Sequence, residues 1–89
     1  MPTIHLIIQG KVQGVFYRAS AKKIATRLFI NGWIRNKEIG DVEAMVTGDL
    51  LQLKKFVEWC RVGPTGAEVT DLIETALEEI AFESFTIRK

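Results

Sequence analysis

The chain has 89 residues, 47% of them hydrophobic and 26% charged, with twelve Lys and Arg against eleven Asp and Glu for a net charge of +1. That length predicts one compact domain spanning residues 1–89, and the near-balance of charge excludes the polybasic footprint of a nucleic-acid or membrane-surface binder. One cysteine, Cys60, excludes an intrachain disulfide, and with the lone histidine, His5, it leaves no set of N and S ligands for a dedicated zinc site.

The opening run Met1-Pro2-Thr3-Ile4-His5 lacks the basic flank and long apolar core of a signal peptide. Apolar runs such as Leu6-Ile7-Ile8 and Leu28-Phe29-Ile30 fall far short of the roughly 20 residues that cross a bilayer. The expected location is therefore the cytoplasm. Residues 3–9 are aliphatic and β-branched and stop at Gly10, which predicts a strand with Ile4, Leu6 and Ile8 on one face. Ile7 makes the other face partly apolar, as suits a strand inside a sheet. Gly10 and Gly14 then bracket Lys11-Val12-Gln13 in a loop.

From about Phe16 to Phe29 the period lengthens: Ala21, Ile24, Ala25 and Leu28 share a stripe, with Lys22, Lys23 and Arg27 off it. This predicts an amphipathic helix closed by Asn31-Gly32. Trp33 to Asn36 begins a second strand, Lys37 to Gly40 a hairpin turn, and Asp41 to Thr47 a third strand alternating Val42, Ala44 and Val46 against Glu43, Met45 and Thr47. Asp49 with Gln52 three residues on predicts a reciprocal cap for a second helix carrying Leu50, Leu53, Phe56, Val57 and Cys60 and ending at Gly63-Pro64. Two further β-rich runs, Ala67 to Ile73 and Phe82 to Ile87, flank an acidic stretch (Glu74, Glu78, Glu79) that reads as a connection or as one helical turn. The order strand, helix, strand, strand, helix, strand, with an extra terminal strand, predicts the α+β class. The simplest packing is a ferredoxin-like split βαβ sandwich, with a mostly antiparallel sheet of four to five strands and both helices on one face.

Chemistry concentrates in Gly10-Lys11-Val12-Gln13-Gly14-Val15-Phe16-Tyr17-Arg18, which follows a strand and opens a helix. The first turn of a helix has backbone N–H groups without intrahelical partners, and the aligned peptide dipoles make that end partly positive. A phosphate or carboxylate is the natural ligand there, and Arg18 adds a fork of donors for two oxygens at once. The spacing matches neither a Walker A loop nor a dinucleotide fingerprint. Many such turns bind nothing, so the loop residues alone leave anion binding and a plain turn both open. In a split βαβ sheet the first two strands run parallel, which puts Asn36 at the same edge as Arg18. Asn36 then either holds a water there, donating and accepting at once, or merely starts the hairpin.

The run Val12-Gln13-Gly14-Val15-Phe16-Tyr17-Arg18 resembles the acylphosphatase signature, and Gly32-Trp33-Ile34-Arg35-Asn36 resembles that family's second block. Comparable residues recur at Gly40-Asp41-Val42-Glu43, Gly48, Gly63-Pro64 and Phe85-Thr86-Ile87-Arg88, so the resemblance covers essentially the whole chain. It implies hydrolysis of the carboxyl–phosphate bond of small acyl phosphates without metal or cofactor. It also implies that Arg18 binds the phosphoryl group, that Asn36 positions the attacking water, and that the backbone of Val12, Gln13, Gly14, Val15, Phe16 and Tyr17 forms the phosphate cradle. The family suggests substrates such as 1,3-bisphosphoglycerate and carbamoyl phosphate. Two departures stand out: Tyr17 where Phe is usual, adding a hydroxyl near the loop, and Ile39 before Gly40 where Asp or Asn is common.

His5 falls on the strand face away from the core stripe, and Cys60 on the apolar stripe of the second helix, so both read as structural. Trp33, Phe56 and Phe85 read as packing residues, and Lys11 as an exposed residue or an anion-steering one. An RNA-binding role would need exposed aromatics on the central strands, and the first and third strands have none. The chief alternative to the enzyme is a non-catalytic module that binds acyl or carbamoyl phosphate. The expected partner is a small-molecule acyl phosphate, with no nucleic acid and no membrane, and the expected state is a monomer.

Overall fold

The computed structural model describes residues 1–89 and follows the two hydrophobic periods of the sequence. Its elements are β1 (Thr3–Lys11), α1 (Tyr17–Arg27), β2 (Asn31–Asn36), β3 (Val42–Thr47), α2 (Leu50–Val62), β4 (Glu68–Leu77) and β5 (Phe85–Arg88). The strands form one sheet in the order β4-β1-β3-β2-β5. Only β2 and β5 pair parallel; the other three pairings are antiparallel. Alternate residues of a strand share a face. Ile4, Leu6, Ile8, Ile34, Val42, Ala44 and Val46 all bury in one cluster with Tyr17, Ala21 and Ala25 of α1 and Leu53, Phe56, Val57 and Cys60 of α2. Both helices therefore cover the same face, in the ferredoxin-like α+β plan. Each large side chain in that cluster contributes roughly 1.5–3 kcal/mol, against about 0–1 kcal/mol for an exposed ion pair, so apolar burial dominates the fold.

The register explains how the sheet presents the site. Ile8 pairs with Leu72 on one side and Val42 on the other, and Val42 pairs in turn with Asn36. Directly paired residues lie on the same face, so the row that begins with buried Leu72, Ile8 and Val42 ends in Asn36 on the helix side.

The opposite face of the sheet carries a polar cluster among apolar residues such as Ile7 and Met45. His5 Nε2 donates to Glu43 Oε2 (2.6 Å), Arg35 Nε donates to Glu43 Oε1 (2.5 Å), and the guanidinium of Arg88 lies 4.6 Å from the centre of the Trp33 ring. Burial would raise the Glu43 pKa, but the hydrogen bonds from His5 and Arg35 and the positive charge of Arg35 outweigh it, and the net shift is downward. A carboxyl with a depressed folded pKa contributes stability above its unfolded pKa and loses that contribution as the pH falls through the folded value. Urea unfolding across that acid range is expected to show a shallower loss of stability in Glu43→Gln than in the parent; equal slopes would remove Glu43 from the acid response.

Helix α1 ends earlier than expected, and not at Asn31-Gly32. Phe29 takes a left-handed backbone (φ 57°), its N–H donates to Thr26 O (3.3 Å), and Ile30 N–H donates to Ala25 O (2.9 Å). This is a Schellman termination with phenylalanine where glycine is usual. Phe29 is 85% exposed, so no packing offsets the steric cost of that φ. Phe29→Gly is expected to raise stability by about 1 kcal/mol, as an upward shift of the urea midpoint.

Asn31 and Gly32 serve the sheet instead. Asn31 Nδ2 donates to Phe82 O (3.0 Å), and a Cβ on Gly32 would lie 1.9 Å from Met45 O of the neighbouring strand. The cap expected at α2 does not form: Asp49 makes no side-chain cap bond, and Gln52 Oε1 is buried without a partner. The backbone begins that helix instead, with Leu53 N–H on Asp49 O (2.8 Å).

The acidic stretch forms no helical turn. Pairing with β1 carries β4 on to Leu77, opposite Thr3, so Glu74 belongs to the strand. Glu68, Asp71 and Glu74 charge this outer strand, a common protection for a sheet edge. The link to β5 then crosses beneath the sheet, where Ile80 N–H donates to Thr3 Oγ1 (2.9 Å) and Thr47 Oγ1 donates to Ile80 O (2.9 Å). These threonine contacts bring β5 alongside β2, where it completes the wall of the site.

Candidate active site

Five residues, Val12 to Phe16, join the end of β1 to the start of α1. Their flanks are fixed in the core: Val12 is 1% and Tyr17 2% exposed, whereas Phe16 between them is 82% exposed. Gly14 (φ 75°) and Phe16 (φ 61°) have left-handed backbones, and Val15 and Tyr17 do not. Alternating φ of this kind turns successive N–H groups toward a common point, the geometry of an anion-binding nest. None of the backbone N–H groups from Val12 to Phe16 donates to an acceptor within the protein. The left-handed φ of Phe16 is thus part of this nest geometry, where that of Phe29 only ends a helix.

Arg18 stands in the first turn of α1, which carries no acidic residue. One of its terminal nitrogens donates to Arg88 O of β5 (3.1 Å), which holds the guanidinium at the sheet edge with donors to spare. Asn36 ends β2, and its Oδ1 is buried without a hydrogen-bond donor in the protein. Arg18 and Asn36 meet on the wall of one pocket of about 280 Å³, shared with Val12, Gly14, Phe16, Tyr17, Ala19 and Ile87. That volume suits a small anion with a short organic group rather than a large ligand. No carboxylate, imidazole or thiol lines it.

The other candidate residues lie elsewhere. Gln13 and Val15 do not line the pocket; Gln13 turns its side chain away and donates through Nε2 to Lys37 O (2.8 Å) and Asp41 O (2.9 Å). Nothing in the sequence distinguished that side chain from an ordinary loop glutamine. Lys11 is exposed and also stands outside the pocket lining. The hydroxyl of Tyr17 is not near the loop: it donates to Cys60 O across the helix pair (2.6 Å), because the ring is buried against α2. Burial pushes the Tyr17 phenol far above its ordinary range and the Cys60 thiol up to about 12. Both stay neutral, and the thiol is no nucleophile. His5 lies on the far face of the sheet with Glu43. Nowhere do three His, Cys, Asp or Glu side chains converge as a metal would require.

Comparison with known proteins adds an independent observation. The family model described as Acylphosphatase matches residues 4–87. The chain is 48% identical to an acylphosphatase of Pyrobaculum arsenaticum, over 98% of this chain and 94% of that one. Among solved structures it superposes on the acylphosphatase of Bacillus subtilis with a TM-score of 0.97 at 30% identity, covering both chains in full. It superposes on that of Coxiella burnetii with a TM-score of 0.95 at 34% identity, over 98% of this chain and 92% of that one.

Proposed function

The chain belongs to the acylphosphatase family, hydrolases of the carboxyl–phosphate bond of small acyl phosphates, and we propose that Arg18, Asn36 and the cradle from Val12 to Tyr17 carry that reaction. The observation behind this reading is the pocket itself. Val12, Gly14 and Phe16, whose N–H groups have no acceptor in the protein, line one small space together with Arg18, which has donors to spare, and Asn36.

An acyl phosphate is a mixed anhydride whose leaving group is a weakly basic carboxylate, so departure needs no general acid. Phosphoryl transfer passes through a loose transition state with charge on the equatorial oxygens, and positioning with electrostatic stabilisation supplies most of the catalysis. The cradle N–H groups and the Arg18 fork take those oxygens. Asn36 Oδ1 accepts a hydrogen bond from a water and aims its lone pair at phosphorus, opposite the bond that breaks. The P–O bond to the acyl group cleaves with its electron pair leaving on the carboxylate. The proton from the attacking water passes to a phosphate oxygen, giving carboxylate and inorganic phosphate. No helix is long and apolar enough to cross a membrane.

Hydrolysis of benzoyl phosphate in the presence of EDTA tests this reading. Fast, chelator-resistant turnover is expected. With no side chain lining the pocket that titrates near neutrality, kcat is expected to stay nearly constant between about pH 5 and 8. A sharp bell in that range would reveal an acid or base outside this scheme. Absence of turnover by the folded protein would leave a phosphate-binding module, which titration with inorganic phosphate would then identify.

A further inference from the structure

We infer that Gln13 is a positioning residue that sets the distance between the anion cradle and Asn36; the inference rests on the water-holding role proposed for Asn36. Gln13 sits within the cradle, yet its side chain leaves the pocket. Its single amide nitrogen spends both hydrogens on the carbonyls of Lys37 (2.8 Å) and Asp41 (2.9 Å). Those carbonyls mark the two ends of the turn between β2 and β3. Lys37 directly follows Asn36, and Asp41 directly precedes Val42, the cross-strand partner of Asn36.

The turn does not depend on Gln13 for its own shape. Lys37 N–H donates to Asp41 O (2.8 Å) and Gly40 N–H to Lys37 O (3.1 Å), which closes the hairpin without outside help. The missing tie is the one between hairpin and cradle. Strands β1 and β2 are separated by β3, so no ladder hydrogen bond joins the strand that leads into the cradle to the strand that ends in Asn36. The two bonds from Gln13 are the only hydrogen bonds between residues 12–16 and residues 36–41. A neutral amide suits this place: one nitrogen serves two carbonyls without setting another charge beside the anion. Misplacement of a reacting group by about 1 Å costs on the order of a hundredfold in rate, so a tether between the two halves of the site bears directly on turnover.

The test compares Gln13→Met, Asn36→Ala and the double variant by kcat and KM on benzoyl phosphate, inhibition by inorganic phosphate, and thermal midpoint. Methionine keeps the length of glutamine and loses both donors. Gln13→Met is expected to lower kcat about tenfold while the inhibition constant of phosphate changes less than about twofold, because Arg18 and the cradle N–H groups remain in place. In the Asn36→Ala background the same substitution is expected to change kcat less than about twofold, the mark of a residue that acts through Asn36. An equal loss in both backgrounds would overturn the inference, and so would a lowered thermal midpoint with unchanged kcat. Wild-type kcat in Asn36→Ala alone would instead overturn the role of Asn36, and the inference with it. Gln13→Asn keeps the amide but shortens its reach, so it serves if the methionine variant does not fold. Reduced kcat at unchanged phosphate inhibition is expected from it, and full activity would count against the tether.

Discussion

Arg18→Ala is expected to give a folded protein with less than about a thousandth of the parent kcat/KM, the scale on which an arginine acts at a transferring phosphoryl group. The physical reason is concentrated in one side chain. Arg18 supplies the only full positive charge lining the pocket, and its planar fork can meet two phosphoryl oxygens while another N–H stays on Arg88 O. A thousandfold loss corresponds to about 4 kcal/mol of transition-state stabilisation. Folding depends little on it, because its one protein hydrogen bond is exposed. The thermal midpoint is therefore expected to hold while turnover collapses. Arg18→Lys is expected to recover only part of the activity, since an ammonium keeps the charge and loses the fork. Steady-state kinetics on benzoyl phosphate with phosphate titration by calorimetry check both variants; parent-level kcat/KM in Arg18→Ala would end the assignment.

Asn36→Ala is also expected to separate activity from stability. The Oδ1 of Asn36 accepts no hydrogen bond from the protein, so its removal breaks no intramolecular bond to that atom. Stability is therefore expected to stay nearly unchanged. Turnover is expected to fall on the order of a hundredfold, because the attacking water loses its fixed position. Phosphate binding rests on Arg18 and the cradle and is expected to change less than about threefold. Lower kcat, an unchanged thermal midpoint and unchanged phosphate affinity form a signature that a packing role for Asn36 does not produce. A large rise in KM with constant kcat would point to ground-state binding instead.

Much of the arrangement was legible along the chain. The two-residue period of Ile4, Leu6 and Ile8 and the helical stripe of Ala21 and Ala25 marked buried faces directly, since a strand or helix shows its own repeat within a few residues. The loop from Val12 to Tyr17 was legible as a glycine-containing turn into a helix start, a pattern that by itself leaves anion binding and a plain turn both open; the cradle reading came from the resemblance of the whole run to the family signature. The misreadings share a cause. Asn31-Gly32 carries the composition of a helix end, but Asn31 is claimed by Phe82 O, and Gly32 is required where β3 passes close. Phe29, which carries no such signal, ends the helix in the left-handed region. The Tyr17 hydroxyl turned to Cys60 rather than to the cradle, since the side of α1 that faces α2 is set by packing.

What the sequence determined alone is thus what local repetition and local backbone chemistry encode: the elements, their buried faces, and a loop rich in unpartnered donors beside an arginine. What only the tertiary structure decided is which distant residues meet. Arg18 reaches the carbonyl of a residue 70 positions away, and Gln13 reaches a turn 24 positions away. Asn36 faces the pocket because its register with Val42 continues a row begun at Leu72 and Ile8. Strand order and register arise from burying all the apolar faces at once, a condition on the whole chain that no short stretch of it expresses.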